Sequence, residues 1–429
     1  MIKKIVIAVV YFTVIGLYAQ NGSVSPYSYF GIGELQSNGT MENQMMGGIG
    51  MFADSIHINL KNPASLSKLG VQFGEDFGIT TYTAGLSYKK LNLKNSIEQQ
   101  SNHVSNLEYL SIAMSLKKGL GVGFGLIPYS SVGYNLVSES TNANNRLITN
   151  QYFGDGGLNK VYFSMGYEFL KDLSVGVTAS FNFGTLKNER VQNAENVQFG
   201  TLDKRESKVN GMDFNYALNY TPTLKDKYNL FASLRINTQA NLTSKNTKQI
   251  GSFSTTSGQN IEVINVDLDA VNLRNTELKI PTTATLGLGF GEDKKWFLGA
   301  EYSFQGLSAF SNEFIDVDNL VYEDASSFAF GGFFIPDYSA FSGYLKQITY
   351  RAGLRMDQTG MLVNNKEINN FGITFGFGLP MRGSFSNLNL GFEIGKRGTT
   401  TANLIEESYY KVNVGLSLND IWFRKRRIN

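Results

Sequence analysis

The chain contains no cysteine, only seven prolines and only two histidines in 429 residues. Without cysteine it can carry neither a disulfide framework nor a thiolate metal site. The two histidines, His57 and His103, form no pair at ligand spacing, and neither is expected on a strand wall, so metal and hydrolase chemistry are not expected. Excess charge is also missing. Lys and Arg number 38 against 36 Asp and Glu, a formal +2 that Lys3 and Lys4 alone account for, which gives no reason to expect nucleic acid. Mean hydropathy is slightly negative, −0.16, and the only long apolar run is Ile5 to Leu17, too short for a membrane-spanning helix. That run follows Lys3-Lys4 and precedes Ala19-Gln20, and reads as a cleaved secretory signal peptide over residues 1–19.

Glycine (45), phenylalanine (31) and tyrosine (22) are plentiful instead. In Leu173-Ser-Val-Gly-Val-Thr-Ala-Ser-Phe-Asn-Phe183 every second residue is apolar and the residues between are small or polar. Successive strand side chains point to opposite faces, so this is a strand with one greasy face. The same pattern recurs from about residue 80 onward, with tight charged turns at 117–119, 171–172, 223–227, 292–295 and 381–384. Long polar connections near 90–105, 137–151, 185–207, 243–277, 306–346 and 398–406 alternate with those turns. Short turns on one side and long loops on the other predict a transmembrane antiparallel β-barrel, short side periplasmic. About thirteen strands are clear. Strand direction demands another between the Tyr350 and Ile373 strands, for which Thr359 to Val363 is the available segment, giving an all-β barrel of about fourteen strands.

Residues 20–70 do not alternate, yet carry too little charge and too many apolar groups for disorder. They are expected to form a hatch or plug before a barrel at 71–423, with 424–429 a basic periplasmic tail. Asn43-Gln-Met-Met-Gly-Gly-Ile-Gly50 and Ile56-His-Ile-Asn-Leu-Lys-Asn62-Pro63-Ala64 resemble the N-terminal hatch of the long-chain fatty acid transporters, the FadL/TodX-like outer-membrane family. The hatch motif residues are Gly47, Gly48, Gly50, Asn62, Pro63 and Ala64. Ser25-Pro-Tyr-Ser-Tyr-Phe-Gly-Ile-Gly33 resembles the opening of the Bacteroidetes-type branch. The resemblance implies a plugged outer-membrane barrel, reached through a cleaved signal peptide. Its hydrophobic ligand would be captured at the outer loops and released through a gap beside a kinked third strand.

Pro128 falls inside that third strand, followed by Ser130, Ser131 and Gly133. Proline breaks a ladder bond, so the site reads either as a lateral opening or as a bulge that bends the wall. Strand parity places Lys160, Glu168, Asp213, Arg235, Glu301, Arg351, Arg355, Glu393 and Lys411 in the lumen. Mixed signs speak against an ion filter and for pairing with the plug or with each other. Arg235, Arg351 or Arg355 could instead meet a fatty carboxylate. Inward glycines, Gly121 and Gly376 among them, leave room for plug backbone. The aromatic run Phe328-Ala-Phe330-Gly-Gly-Phe333-Phe334 is expected on an outer loop, as a capture groove, a docking surface or simple loop packing. His57 is expected in the plug and His103 in an outer loop, and no enzyme activity or cofactor follows.

The function expected is passive movement of hydrophobic small molecules across or into the outer membrane, with lipid and an apolar ligand as partners. The rival is a non-transporting barrel, a subunit of an outer-membrane protein assembly or secretion machine.

Overall fold

The computed structural model describes residues 22–424 apart from 37–38, 71–76, 142, 144, 316, 318 and 382–383. The signal peptide and the basic tail beyond residue 424 lie outside these residues. Fourteen antiparallel strands close on themselves. They are β1 (Phe77–Lys94), β2 (Gln99–Lys117), β3 (Leu120–Thr141), β4 (Leu147–Leu170), β5 (Leu173–Ala194) and β6 (Phe199–Tyr220). Two interrupted strands follow, β7 (Tyr228–Asn237, then Ala240–Ser254) and β8 (Asn275–Ile280, then Thr283–Glu292). The rest are β9 (Trp296–Gln305), β10 (Ala325–Phe334), β11 (Thr349–Val363), β12 (Lys366–Pro380), β13 (Asn387–Arg397) and β14 (Glu406–Arg424). β14 pairs with β1 from Arg424↔Phe77 to Glu406↔Lys94, which closes the barrel.

The apolar alternation faces outward all round. Leu86, Phe124, Phe163, Phe181, Leu286, Leu288, Leu298, Phe375, Phe392 and Ile394 are exposed, while their neighbours in sequence point into the lumen. Among the described residues no second protein layer covers them, and lipid is the medium in which such a face is at rest. Rings gather toward the periplasmic ends, where Tyr82 meets Trp422 at 5.6 Å and Phe290 meets Trp296 at 5.8 Å. This is the aromatic girdle of a membrane barrel.

Three expectations change. Residues 90–105, 137–151 and 185–207 are not loops, because β1 to β6 run on through them to short hairpins. Above the lipid both faces of a strand meet water, so the alternation that marks a strand fades there. His103 therefore lies on β2, against Tyr88 at 5.8 Å, not in an outer loop. The fourteenth strand is β10, not Thr359–Val363, which belongs to the single strand β11. β10 was hidden because Phe333 and Phe334 are consecutive and Gly331-Gly332 precede them. Finally, Phe328, Phe330, Phe333 and Phe334 lie on this wall strand rather than on an outer loop. Phe328, Phe330 and Phe334 face lipid, and Phe333 turns inward.

The segment before β1 is packed inside the barrel. Its methionines Met41, Met45, Met46 and Met51 are buried against the inner wall. Wall glycines admit its backbone: a Cβ on Gly353 would fall on Met46 and Gly47, and one on Gly121 on Leu66. Gly376 likewise opposes Met45.

Candidate functional site: a filled side seam

β2 and β3 pair only from Lys117↔Leu120 to Leu110↔Leu126. Above that point β2 continues to Gln99 on β1 alone, and β3 continues to Thr141 on β4 alone. The wall therefore splits, and the split begins where Pro128 sits. Pro128 pairs with Asn159 and Ser130 with Leu158, so Tyr129 is left over as a bulge. The bulge bends β3 at the point where its ladder with β2 ends.

The seam is not empty. Glu34 and Leu35 form a short strand on the free edge of β3, in register with Ser131 and Ser130. Gln36 N–H continues the ladder to the Tyr129 carbonyl at 2.9 Å. Gly133 N–H donates to Ser28 Oγ at 3.1 Å. From the other lip, Asn106 of β2 donates to the Gly22 carbonyl at 2.9 Å. Leu35 is 54% exposed, as an outward wall residue would be. Residues 22–36 thus stand where wall is missing. Gly33 makes the close approach possible: its φ is +95°, and a Cβ there would fall on the Ser131 carbonyl.

Charge pins this stopper. Glu34 Oε1 meets Lys89 Nζ at 2.7 Å and Arg397 Nη1 at 3.3 Å, and Oε2 accepts from Ser23 Oγ at 2.6 Å. Burial alone would raise the Glu34 carboxyl, but Lys89 and Arg397 outweigh it and bring it down to about 2. Ser25 Oγ donates to the fully buried Glu407, and the Tyr27 hydroxyl donates to the Ile405 carbonyl at 2.6 Å. Behind the stopper the upper lumen is apolar. Ile32 packs with Tyr129, Val132, Tyr134, Leu158 and Leu186, and Tyr29 meets Tyr134 edge-on at 5.1 Å.

Deeper down, Asn62 donates to Asn219 at 2.9 Å and to Ser233 at 3.2 Å. Gly50 N–H donates to Glu301 at 2.8 Å. Pro63 and Ala64 pack against wall glycines Gly166 and Gly176, and Gly48 accepts from Lys61. Burial, first, and the nearby cations hold Lys61 down to about 8, although Glu301 pulls the other way. The expected lumen charges mostly pair: Lys160 with Asp213, Glu168 with Lys68, and Lys411 with Glu108. Arg235 meets Glu301 at 2.5 Å, and Arg355 meets Glu393 and Asp357, both at 3.0 Å. These two arginines are spent inside the protein. Arg351 is elsewhere, at the periplasmic mouth.

That mouth holds a cavity of about 200 Å³ between the loop around Asp54–His57 and the periplasmic turns. Phe52 packs there at a tilt on Phe231 and Phe297 and edge-on to Phe333, with centroids 4.8 to 5.5 Å apart. His57 Nδ1 lies 2.6 Å from Asp54 Oδ2. Burial lowers the imidazole, but Asp54 and then Glu42 outweigh it and hold His57 above its ordinary value. Glu34, Glu42, Glu407 and the Asp54–His57 pair were not singled out from sequence. All except Glu407 lie in the non-alternating segment, where parity assigns no face.

Solved structures that resemble this fold include two toluene transporters and a FadL homologue. Over 91% of this chain and 100% of theirs, a Pseudomonas putida toluene transporter TodX structure matches with TM-score 0.59 and 15% identity. The Ralstonia pickettii toluene transporter TbuX matches over 89% and 98%, with TM-score 0.57 and 14% identity. A Pseudomonas aeruginosa FadL homologue matches over 90% and 98%, with TM-score 0.54 and 11% identity. At such identities the likeness is one of fold. No curated protein matches the sequence. One family model, described as BamG, matches residues 1–429.

Proposed function

The chain belongs to the BamG family, and from that premise we propose that it is a barrel subunit of a larger outer-membrane protein complex, with its side seam held shut. The carrying observation is that the route an apolar ligand would take is already occupied. Residues 22–36 fill both the β2–β3 seam and the apolar space behind it. The family's name supports membership of a complex. So does the periplasmic connection from β10 to β11, which presents Phe341 fully exposed and Leu345 at 68%. An apolar cluster in that position favours a protein neighbour.

The second reading is a conduit for hydrophobic small molecules whose stopper withdraws. The incomplete β2–β3 ladder favours it, as do the toluene transporters that share the fold. A disulfide separates the two. Leu35 and Ser130 are cross-strand partners, at a spacing a disulfide can bridge, and the chain has no other cysteine. In Leu35→Cys/Ser130→Cys, oxidation locks the stopper. For a subunit, the locked protein still co-purifies in fixed stoichiometry with a larger barrel from native membranes and supports growth. For a conduit, locking abolishes uptake of apolar compounds and reduction restores it. A protein that purifies from those membranes alone, with uptake lost on locking, overturns the subunit reading.

A further inference from the structure

Arg235, Arg351, Arg355 and Arg397 face the lumen. Arg235, Arg355 and Arg397 each hold a carboxylate. Arg351 is only 8% exposed, yet no carboxylate among the described residues lies within the 4.0 Å of an ion pair. Among the described residues its side chain makes one hydrogen bond, from Nη1 to Asn389 Oδ1 at 3.0 Å, and its buried Nε meets no partner. A nearby carboxylate, Glu42, is kept off by the same asparagine, whose Nδ2 donates to Glu42 Oε1 at 2.8 Å. Asp54 is spent on His57. A buried guanidinium left in this state is costly, because its lost hydration is not replaced by an opposite charge.

Arg351 lines the periplasmic cavity together with Met46, Phe52, His57, Phe333 and Ile335. The cavity therefore joins the Arg351 guanidinium to an aromatic and aliphatic floor; of its other charged lining, Glu42 is held by Asn389 and Asp54 by His57, and Asp293 and Lys294 are one of each sign. We propose that it binds a compact organic monocarboxylate, one carboxylate on a body of about one ring, with the carboxylate on Arg351 and the body against Phe52 and Phe333. A guanidinium fork suits a carboxylate, and ring faces suit an apolar body. Size sets the limit. The cavity's 200 Å³ modestly exceeds the roughly 150 Å³ void that admits benzene. A sixteen-carbon acid, with about three times benzene's heavy atoms, would leave most of its apolar chain in water, whereas the polar backbone behind a C-terminal residue tolerates that exposure. The site is distinct from the seam and does not depend on how the seam is read. A free acid and the C-terminal residue of a polypeptide share this chemistry.

The probes are 3-phenylpropionate, its uncharged amide, palmitate, and a tripeptide ending in phenylalanine with a free or amidated C-terminus. Binding is measured by titration calorimetry on the full barrel in lipid nanodiscs, with empty nanodiscs as blank. The expected result is saturable binding of 3-phenylpropionate at least tenfold tighter than its amide, with no saturable site for palmitate at this mouth. Arg351→Gln removes that preference and leaves amide binding unchanged, while Phe52→Ala weakens acid and amide alike. If the free-terminus peptide exceeds both its amidated form and 3-phenylpropionate, the source is a polypeptide terminus. If the small acid binds better, it is a free metabolite. Equal affinity for acid and amide in the unmodified protein, or no saturable binding of any acid, overturns the proposal without recourse to a variant. So does an acid preference that survives in Arg351→Gln.

Discussion

A single methyl group tests the stopper at Gly33. With φ at +95° and the Ser131 carbonyl where a Cβ would go, Gly33→Ala combines backbone strain of about 1–3 kcal/mol with a direct clash. The expected outcome is that residues 34–36 leave β3 while the barrel stays folded. Amide exchange at Gln36, whose N–H is bonded to Tyr129, should accelerate at least tenfold, with the exchange of β12 and β13 unchanged. Equal exchange at Gln36 in both proteins would show that the stopper does not need this glycine. His57 is a second residue-scale test. Its pKa is raised in the folded protein, so its contribution is complete below the ordinary value near 6.5. That contribution is lost as pH rises through the higher folded value. Asp54 is the reverse case: burial works against its carboxylate, but His57 wins and lowers its pKa. Its share is present above its ordinary value and disappears as pH falls through the lowered one. The loop at residues 52–59 should therefore resist proteolysis best in mildly acidic buffer and loosen toward pH 9. Asp54→Asn should flatten that dependence.

At the scale of elements, the stopper is a strand made of too few residues to hold itself. Two ladder pairs would not keep it in place; the Glu34 cluster must do so. Because Glu34 is held down to about 2 by Lys89 and Arg397, its contribution persists at every pH a cell meets and is lost only as pH falls toward that value. Protonation of Glu34 is therefore not what releases the stopper, and displacing this carboxylate needs a competitor for Lys89 and Arg397. Glu34→Gln should loosen the stopper at neutral pH, leaving Lys89 and Arg397 short of one carboxylate. Single-channel recordings in planar bilayers should show openings in Glu34→Gln that are rare in the parent. A silent Glu34→Gln barrel would mean that Glu407 and the short ladder suffice alone.

For the whole molecule, the decisive quantity is what covers the outer face. Leu288 is 66% exposed, midway along the lower part of β8. In water, Leu288→Arg at so exposed a position would be nearly neutral. Facing hydrocarbon near the bilayer midplane it costs about 2–4 kcal/mol. Equilibrium unfolding from lipid vesicles should show that loss, and a change below about 0.5 kcal/mol would mean that another protein surface covers the position. If the chain is a subunit, a strip of this belt is buried against a neighbouring barrel, and arginine substitutions along it separate lipid contact from protein contact.

The sequence by itself determined the barrel. Alternation such as Leu173 to Phe183 obliges strands with one apolar face, and parity correctly turned Arg235, Glu301, Arg355 and Glu393 inward because a two-residue period allows no other assignment. It also marked Pro128 as the place where the ladder fails. Parity was silent where both faces meet the same medium, which turned the tops of β1 to β6 into apparent loops, and where Gly331-Gly332 and the paired rings of Phe333-Phe334 blur it, which hid β10. Tertiary structure alone decided that residues 22–36 fill the gap beside Pro128, that Glu34 lies between Lys89 and Arg397, and that Arg351 has no carboxylate within ion-pair distance among the described residues. Those facts depend on which distant groups closure of the cylinder brings within a few ångströms, and a period along one strand carries no information about its partners across the lumen.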